Sequence, residues 1–335
     1  MKGKTAMEKV NVDRRKSLNT FLMGNKSIII LLLLIVIMTF ASEVFMTQKN
    51  ISNVMRQICV SAVMGFGYTI IIGSGHIDLS VGTMMGFIGI LVAKMMVGGV
   101  PMIIAILLGC IIGCICGALN ATLITIFALP PFIVTLATRS LYEGTGYLIT
   151  KMVPVSQLPD KFINLGQGYL FYIPIPVYVM AITLIAMTIL ASRTKLGRHA
   201  IAMGGNPEAA RVSGINIGWT RTKVYMTAGL CVGIAAALLT ARSASAQVAA
   251  GQGMEMDSIA AVVIGGTPMG GGKATVIGTL VGCMIVGVVK NGLNLLGVNS
   301  NWQVIAKGMM ILLAIVLDVI SVRVYTSRGK RQSKL

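Results

Sequence analysis

Ten apolar stretches, most of them long enough to cross a bilayer, take up the greater part of this 335-residue chain. A span needs about 20 such residues, somewhat fewer when tilted or interrupted. By that measure six spans fall at 27–46, 54–72, 79–97, 102–127, 131–150 and 173–192. After a polar, basic segment, four more fall at 224–242, 257–272, 275–297 and 302–322. The third and eighth are short and broken by glycine, so eight full crossings with re-entrant segments is the alternative count. The expected fold is an all-α polytopic membrane protein of about ten transmembrane helices. They form one domain over 27–322, with broken or re-entrant segments near 73–80 and 265–273.

With 55% hydrophobic and 11% charged residues, the chain does not read as a water-soluble domain. In a soluble protein a net charge of +18 would suggest nucleic acid. Position argues otherwise. Seven basic residues precede Ser27, six lie between Arg193 and Lys223, and five follow Val322, so 18 of the 28 flank apolar runs. This positive-inside pattern places the 1–26 tail, the 193–223 loop and the 323–335 tail in the cytoplasm. Six crossings and then four satisfy the required parity. The basic clusters carry no interleaved aromatics, so the partner expected for them is anionic lipid and not nucleic acid.

A basic stretch before an apolar run also describes a signal peptide, but the run is long and no small-x-small cleavage site follows; it is read as a retained first span. The six cysteines all lie in apolar runs and form no C-x-x-C, and His76 and His199 are far from them in sequence. Neither a metal site nor a cofactor is expected.

The loop "GGTPMGGGKAT" (265–275) has the look of a phosphate cradle. A Walker loop, however, needs G-x-x-x-x-G-K-[ST]. Here Lys273 is followed by Ala274, and Thr267 occupies the place of the first glycine. Both anchors fail, so nucleotide binding is not expected, and the glycines serve close packing or a helix break. The surrounding 263–278 aligns without gaps with 71–86, with four identities, a weak internal echo that fits either duplication or chance.

In that partner segment Asp78 stands amid apolar spans, where a carboxylate must face a cavity, a partner or a helix end. It suits a helix start, with Ser80 in the first turn. Asp78, Ser80, Asn120, Asn291 and Asn294 are the candidates for lining a translocation path; interhelical hydrogen bonding is the competing reading of each. Asn291 and Asn294, three apart, share a helix face, and Arg139 and Glu143, four apart, are expected to pair. The outward segment 150–174, with prolines among polar and aromatic residues, is read either as a docking surface or as a connector.

The 193–223 loop is the longest polar stretch inside the chain. Asn206 suits a helix cap, Pro207 the first turn, Glu208 the positive helix end, and Gly214 a left-handed stop. So short a helix needs external support, which docking into another protein would supply, with Ala209 and Ala210 allowing close approach.

The run from Gly204 to Gly214 resembles the G-x-N-x-x-A-A-x-x-x-G coupling segment of bacterial ABC-transporter permeases, specifically the ribose, galactose, xylose and arabinose importer class. The likeness continues in "GHIDLSVG", "GALNATLI", "LPPFIVTLATRSLYEGTGYLIT" and "DSIAAVVIGGTPMGGGKATVIGTLVG", and so covers about 50–320. His76 stands where that family usually has glycine, and Pro268 and Met269 replace a more typical small or polar pair.

The resemblance implies a permease of the bacterial plasma (inner) membrane that is not itself an enzyme. Its implied partners are a second permease half, two ATP-hydrolysing subunits and an external sugar-binding receptor. It assigns contact with the ATPase to Gly205, Asn206, Pro207, Glu208, Ala209, Ala210, Arg211 and Gly214. A permease for branched-chain amino acids or nucleosides is the nearest alternative. A secondary transporter or channel is more remote, because the capped cytoplasmic helix would then have no purpose.

Overall fold

The computed structural model describes residues 26–332, with side chains to residue 316. The expected N-terminal tail therefore lies outside the described residues apart from Lys26, and of the expected 323–335 tail only helix backbone to Gln332 is described. Helices α1 (Lys26–Ala41), α2 (Gln48–Gly73), α3 (Val81–Val97), α4 (Met102–Ile126) and α5 (Pro131–Thr150) follow the first five apolar runs. Between the fifth and sixth runs come α6 (Asp160–Gln167) and a two-stranded hairpin, β1 (Tyr169–Leu170) and β2 (Ile173–Pro174), leading into α7 (Ile175–Arg193). Two short helices, α8 (Lys195–Gly205) and α9 (Pro207–Val212), precede α10 (Ile217–Ser243), α11 (Met254–Ile264), α12 (Val276–Leu295) and α13 (Ser300–Gln332).

Five of these, α2, α4, α7, α10 and α12, are each long and apolar enough to cross a membrane. Proline or threonine sets several of the starts. Pro131, Pro176 and Pro207 occupy first-turn positions, where a missing N–H costs nothing. The Thr47 hydroxyl accepts the Asn50 N–H at the head of α2.

The core forms around α2 and α10, whose apolar windows are mostly buried, whereas α4 and α7 turn most of their side chains outward. Lipid tails are as apolar as leucine, so helices in a bilayer gain by close backbone approach. The α4–α10 contact shows this: a Cβ on Gly113 would stand 2.2 Å from the Gly229 carbonyl oxygen, and one on Gly229 would stand 2.0 Å from that of Gly113.

The eighth run differs from its expected form. α11 has 11 residues, about 16 Å of helix against a core of about 30 Å. The irregular chain before it, through the 3-10 turn Val248–Gly251, packs into the bundle. Val248 is buried against Gly86 in α3 and Gly146 in α5. Irregular backbone at this depth must be sheathed by protein, and Lys307 of α13 meets one freed carbonyl, donating to Gly253 at 2.9 Å. The segment expected as a break, 265–273, lies in the turn that joins the ends of α11 and α12.

The 150–174 segment folds back on the bundle at the end remote from α9. Val155 and Ala246 exchange two backbone hydrogen bonds of 2.9 Å. Phe162 is fully buried, while Phe171 and Tyr172 at the hairpin tip are almost fully exposed. The Tyr169 phenol is held below its usual range by a hydrogen bond with Ser52 and by the nearby Arg56 charge. The Arg56 guanidinium lies 4.5 Å from the centre of the tyrosine ring.

Candidate functional site: the coupling segment and the helix breaks

The α8–α9 corner is built by local side-chain chemistry. Thr194 caps α8 by accepting the Gly197 N–H at 3.2 Å. Asn206 ends α8 and caps α9, its side-chain oxygen taking the Ala209 N–H at 3.0 Å. Gly214 stops α9 with φ +83°, and the Ile215 N–H returns to the Ala210 carbonyl. Six residues would not stay helical alone; here the caps and the burial of Ala210 against the chain itself hold them. That corrects the expectation of two alanines facing a partner. Ala210 is an internal contact, and the outward face is Pro207, Glu208, Ala209, Arg211 and Val212, with Trp219 beside it. Glu208 and Arg211 form an exposed ion pair at 3.5 Å.

Behind α9, three glycine segments meet backbone to backbone. Gly204, at the end of α8, packs so closely that a Cβ would stand 2.1 Å from the Gly73 carbonyl oxygen and 2.9 Å from the Gly272 nitrogen. Gly271, with φ +79°, has Gly75 and Gly204 backbone within 3 Å of the same point. The Gly272 N–H donates to the Gly73 carbonyl at 3.0 Å. Thus the two segments that echo each other in sequence are both helix breaks, they touch, and α8 seals the junction. One turn away the Thr69 and Thr279 hydroxyls join α2 to α12 at 2.6 Å.

The first break, 74–80, is anchored on three helices. The Asp78 N–H donates to the Tyr68 hydroxyl at 3.1 Å and the Leu79 N–H to Thr135 at 3.0 Å. The Asp78 carboxylate oxygen Oδ1 accepts both the N–H (2.8 Å) and the hydroxyl (2.6 Å) of Ser80, whose own oxygen accepts from Asn120 at 2.9 Å. Asp78 therefore shapes the turn before α3 and does not cap its first turn. Asp78, Ser80 and Asn120 are brought together, and all three are buried.

The other two path candidates lie elsewhere. Asn291 exchanges amide hydrogen bonds with Asn50 at 2.8 and 3.1 Å. Asn294 is exposed and accepts from Gln303 at 2.8 Å. Burial separates these two despite their spacing.

The expected pairing of Arg139 with Glu143 does not occur. Arg139 instead meets Glu255 at 3.2 Å, and Glu143 accepts from Gln252 at 2.7 Å. A third polar contact joins Lys307 to Asp257 at 2.7 Å. Glu255 and Asp257, both buried, sit in the first turn of α11, where the helix dipole favours acids. Sequence reasoning passed over them, although acids opening an apolar run and a lone lysine inside one, Lys307, are signals of partners.

A protein-family profile described as "Branched-chain amino acid transport system / permease component" matches residues 50–315, which contain all the segments described above except α1, the start of α2 and the last part of α13. The chain belongs to this permease family. Among its relatives is the ribose import permease protein RbsC of Bacillus subtilis, 42% identical over 86% of this chain and 90% of the relative. The Escherichia coli K12 protein of the same name is 38% identical over 91% of this chain and 96% of the relative. The D-allose transport system permease protein AlsC of that strain is 34% identical over 94% and 98%. No solved structure matches. As a member of the permease family, the chain is a multi-pass membrane protein and the transporting component, not an enzyme.

Proposed function

We propose that this chain is the membrane subunit of an ATP-driven importer of a monosaccharide in a bacterial plasma membrane. Its partners are two ATP-hydrolysing subunits, a second permease half and an external sugar-binding protein. The named relatives support the sugar class. The basic flanks support a cytoplasmic α9 end and cytoplasmic termini. The observation that carries the mechanism is the contact of Gly204, three residues before the capped helix α9, with both helix breaks. A push on α9 by an ATPase closing on nucleotide passes along α8 into 73–75 and 270–272 together. Interfaces so tightly packed are bistable and do not deform continuously, so a small displacement becomes a switch between two arrangements.

Glu208, Ala209 and Arg211 make the ATPase contact in this reading; Gly205, Asn206, Pro207, Ala210 and Gly214 shape and hold it. Asp78, Ser80 and Asn120 form the joint on which α3 turns, and Asn291 ties α12 to α2. The test is crosslinking from Ala209→Cys in the assembled importer. Capture of the ATPase, changing in yield between nucleotide-free and ATP-trapped states, is the expected result; absence of any ATPase adduct in an intact assembly overturns the reading.

A further inference from the structure

A cavity of about 140 Å³ lies between α2, α10, α11, α12 and α13. Its polar wall includes Gln57 and Ser61 from α2, Arg242 from the end of α10, Asp257 from α11 and Lys307 from α13, and Leu239 and Val286 add an apolar patch. Ser61 precedes the end of α2 by 12 residues, about 18 Å along the axis, so the cavity sits in the half of the bundle remote from α9.

Three properties separate this space from a packing defect. First, the Gln57 amide and the Ser61 hydroxyl make no hydrogen bond to protein among the described residues. Unspent polar groups inside a membrane protein call for water or a solute. Second, Asp257 is 4% exposed and pairs with Lys307 at 2.7 Å, while among the described residues the Arg242 guanidinium donates to Asn53 alone, at 3.4 Å, and keeps donors free. Donors and acceptors are therefore both present, as a ring of hydroxyls requires. Third, the apolar patch offers a surface to the C–H face of such a ring. The space is well below the several hundred Å³ of an enclosing ligand site, which suits a solute that must leave as readily as it enters.

We propose that this cavity is a transit subsite for a neutral, hydroxyl-rich solute of single-ring size, a monosaccharide, in contact with Gln57, Ser61 and Asp257. The assignment rests on the sugar-importer reading above.

The test uses the complete importer in proteoliposomes, with radiolabelled D-ribose, D-allose and D-galactose as probes. Ser61→Cys is the labelled variant, and its own uptake before modification, expected at a raised KM, is the reference. Its modification by a small methanethiosulfonate reagent, read at residue 61 by peptide mass, should stop uptake, and a transported sugar should slow that modification several-fold. Gln57→Leu should raise the KM for uptake several-fold with unchanged ATP turnover. If the natural importer carries one of these sugars but residue 61 resists modification, or its modification leaves uptake intact, or sugar gives no protection, the subsite is wrong and the importer reading stands. An importer that carries none of the three sugars removes the sugar reading and the subsite with it.

Discussion

The backbone N–H of Gly272 donates to the carbonyl of Gly73 at 3.0 Å, so the turn between α11 and α12 is fastened to the end of α2. Gly204 is wedged against that bond from the side of α8. The atoms in contact are main-chain atoms, which cannot retreat by changing rotamer.

Alanine at Gly204 therefore has no room, whereas at the neighbouring Gly205 a Cβ would meet only the Gly272 Cα, at 3.8 Å. Overpacking costs about 1–3 kcal/mol where neighbours can shift. Gly204→Ala is expected to cut ATP-driven uptake by roughly tenfold or more, and Gly205→Ala to leave it near the natural rate. Matched uptake by the two variants in vesicles containing equal amounts of folded importer would contradict a mechanical role for the junction.

The ion pair of Arg139 with Glu255 makes a sharper comparison with the sequence. Glu255 is 1% exposed, and removing Arg139 leaves it buried without its cation. A double-mutant cycle on unfolding in detergent is expected to give a coupling of about 1 kcal/mol between Arg139 and Glu255. Arg139 with Glu143 should give only a few tenths at most. A larger coupling for the second pair would show that helical spacing, and not the fold, chooses the partner.

That contrast shows what was legible in the sequence. The helices follow the apolar runs because a bilayer enforces one periodicity and one length scale. The α9 corner was also readable, since a cap at Asn206, a proline at Pro207 and a left-handed glycine at Gly214 act on their own neighbours. Contacts between distant segments were not. Arg139 reaches Glu255, Asn50 reaches Asn291, and Gly73 reaches Gly272 only after the helices pack, and spacing along one helix carries no record of that. The half-helix α11 was partly legible as a short, glycine-broken run. That irregular chain before it packs into the bundle depends on Lys307 and on the glycines of α3.

For Asn291 the fold points to a tie and not to a pathway. Its amide and that of Asn50 satisfy each other, and Asn50 also donates to the Phe45 carbonyl at 2.8 Å. Asn291→Ala leaves a buried amide short of a partner, with an expected loss of about 1–3 kcal/mol in stability. The thermal midpoint in detergent should fall while the KM for sugar stays unchanged. Asn50→Leu combined with Asn291→Leu should recover part of the loss. A shifted KM at unchanged stability would return Asn291 to the solute path.

Glu208 and Arg211 close the argument, because stability and coupling predict opposite things for them. Both side chains are more than half exposed, and such a pair contributes at most about 1 kcal/mol. The Ala209 and Arg211 carbonyls accept the backbone N–H groups of Ser213 and Gly214, so side-chain replacement leaves the corner formed. Glu208→Ala and Arg211→Ala should therefore insert, assemble and unfold like the natural chain. If the outward face of α9 receives the ATPase, each should still lower sugar uptake several-fold per ATP hydrolysed, with the double variant no worse than the more severe single one. Uptake and ATP turnover that remain in their natural ratio in both variants would remove these side chains from the coupling contact and leave the glycine junction as the remaining route of transmission.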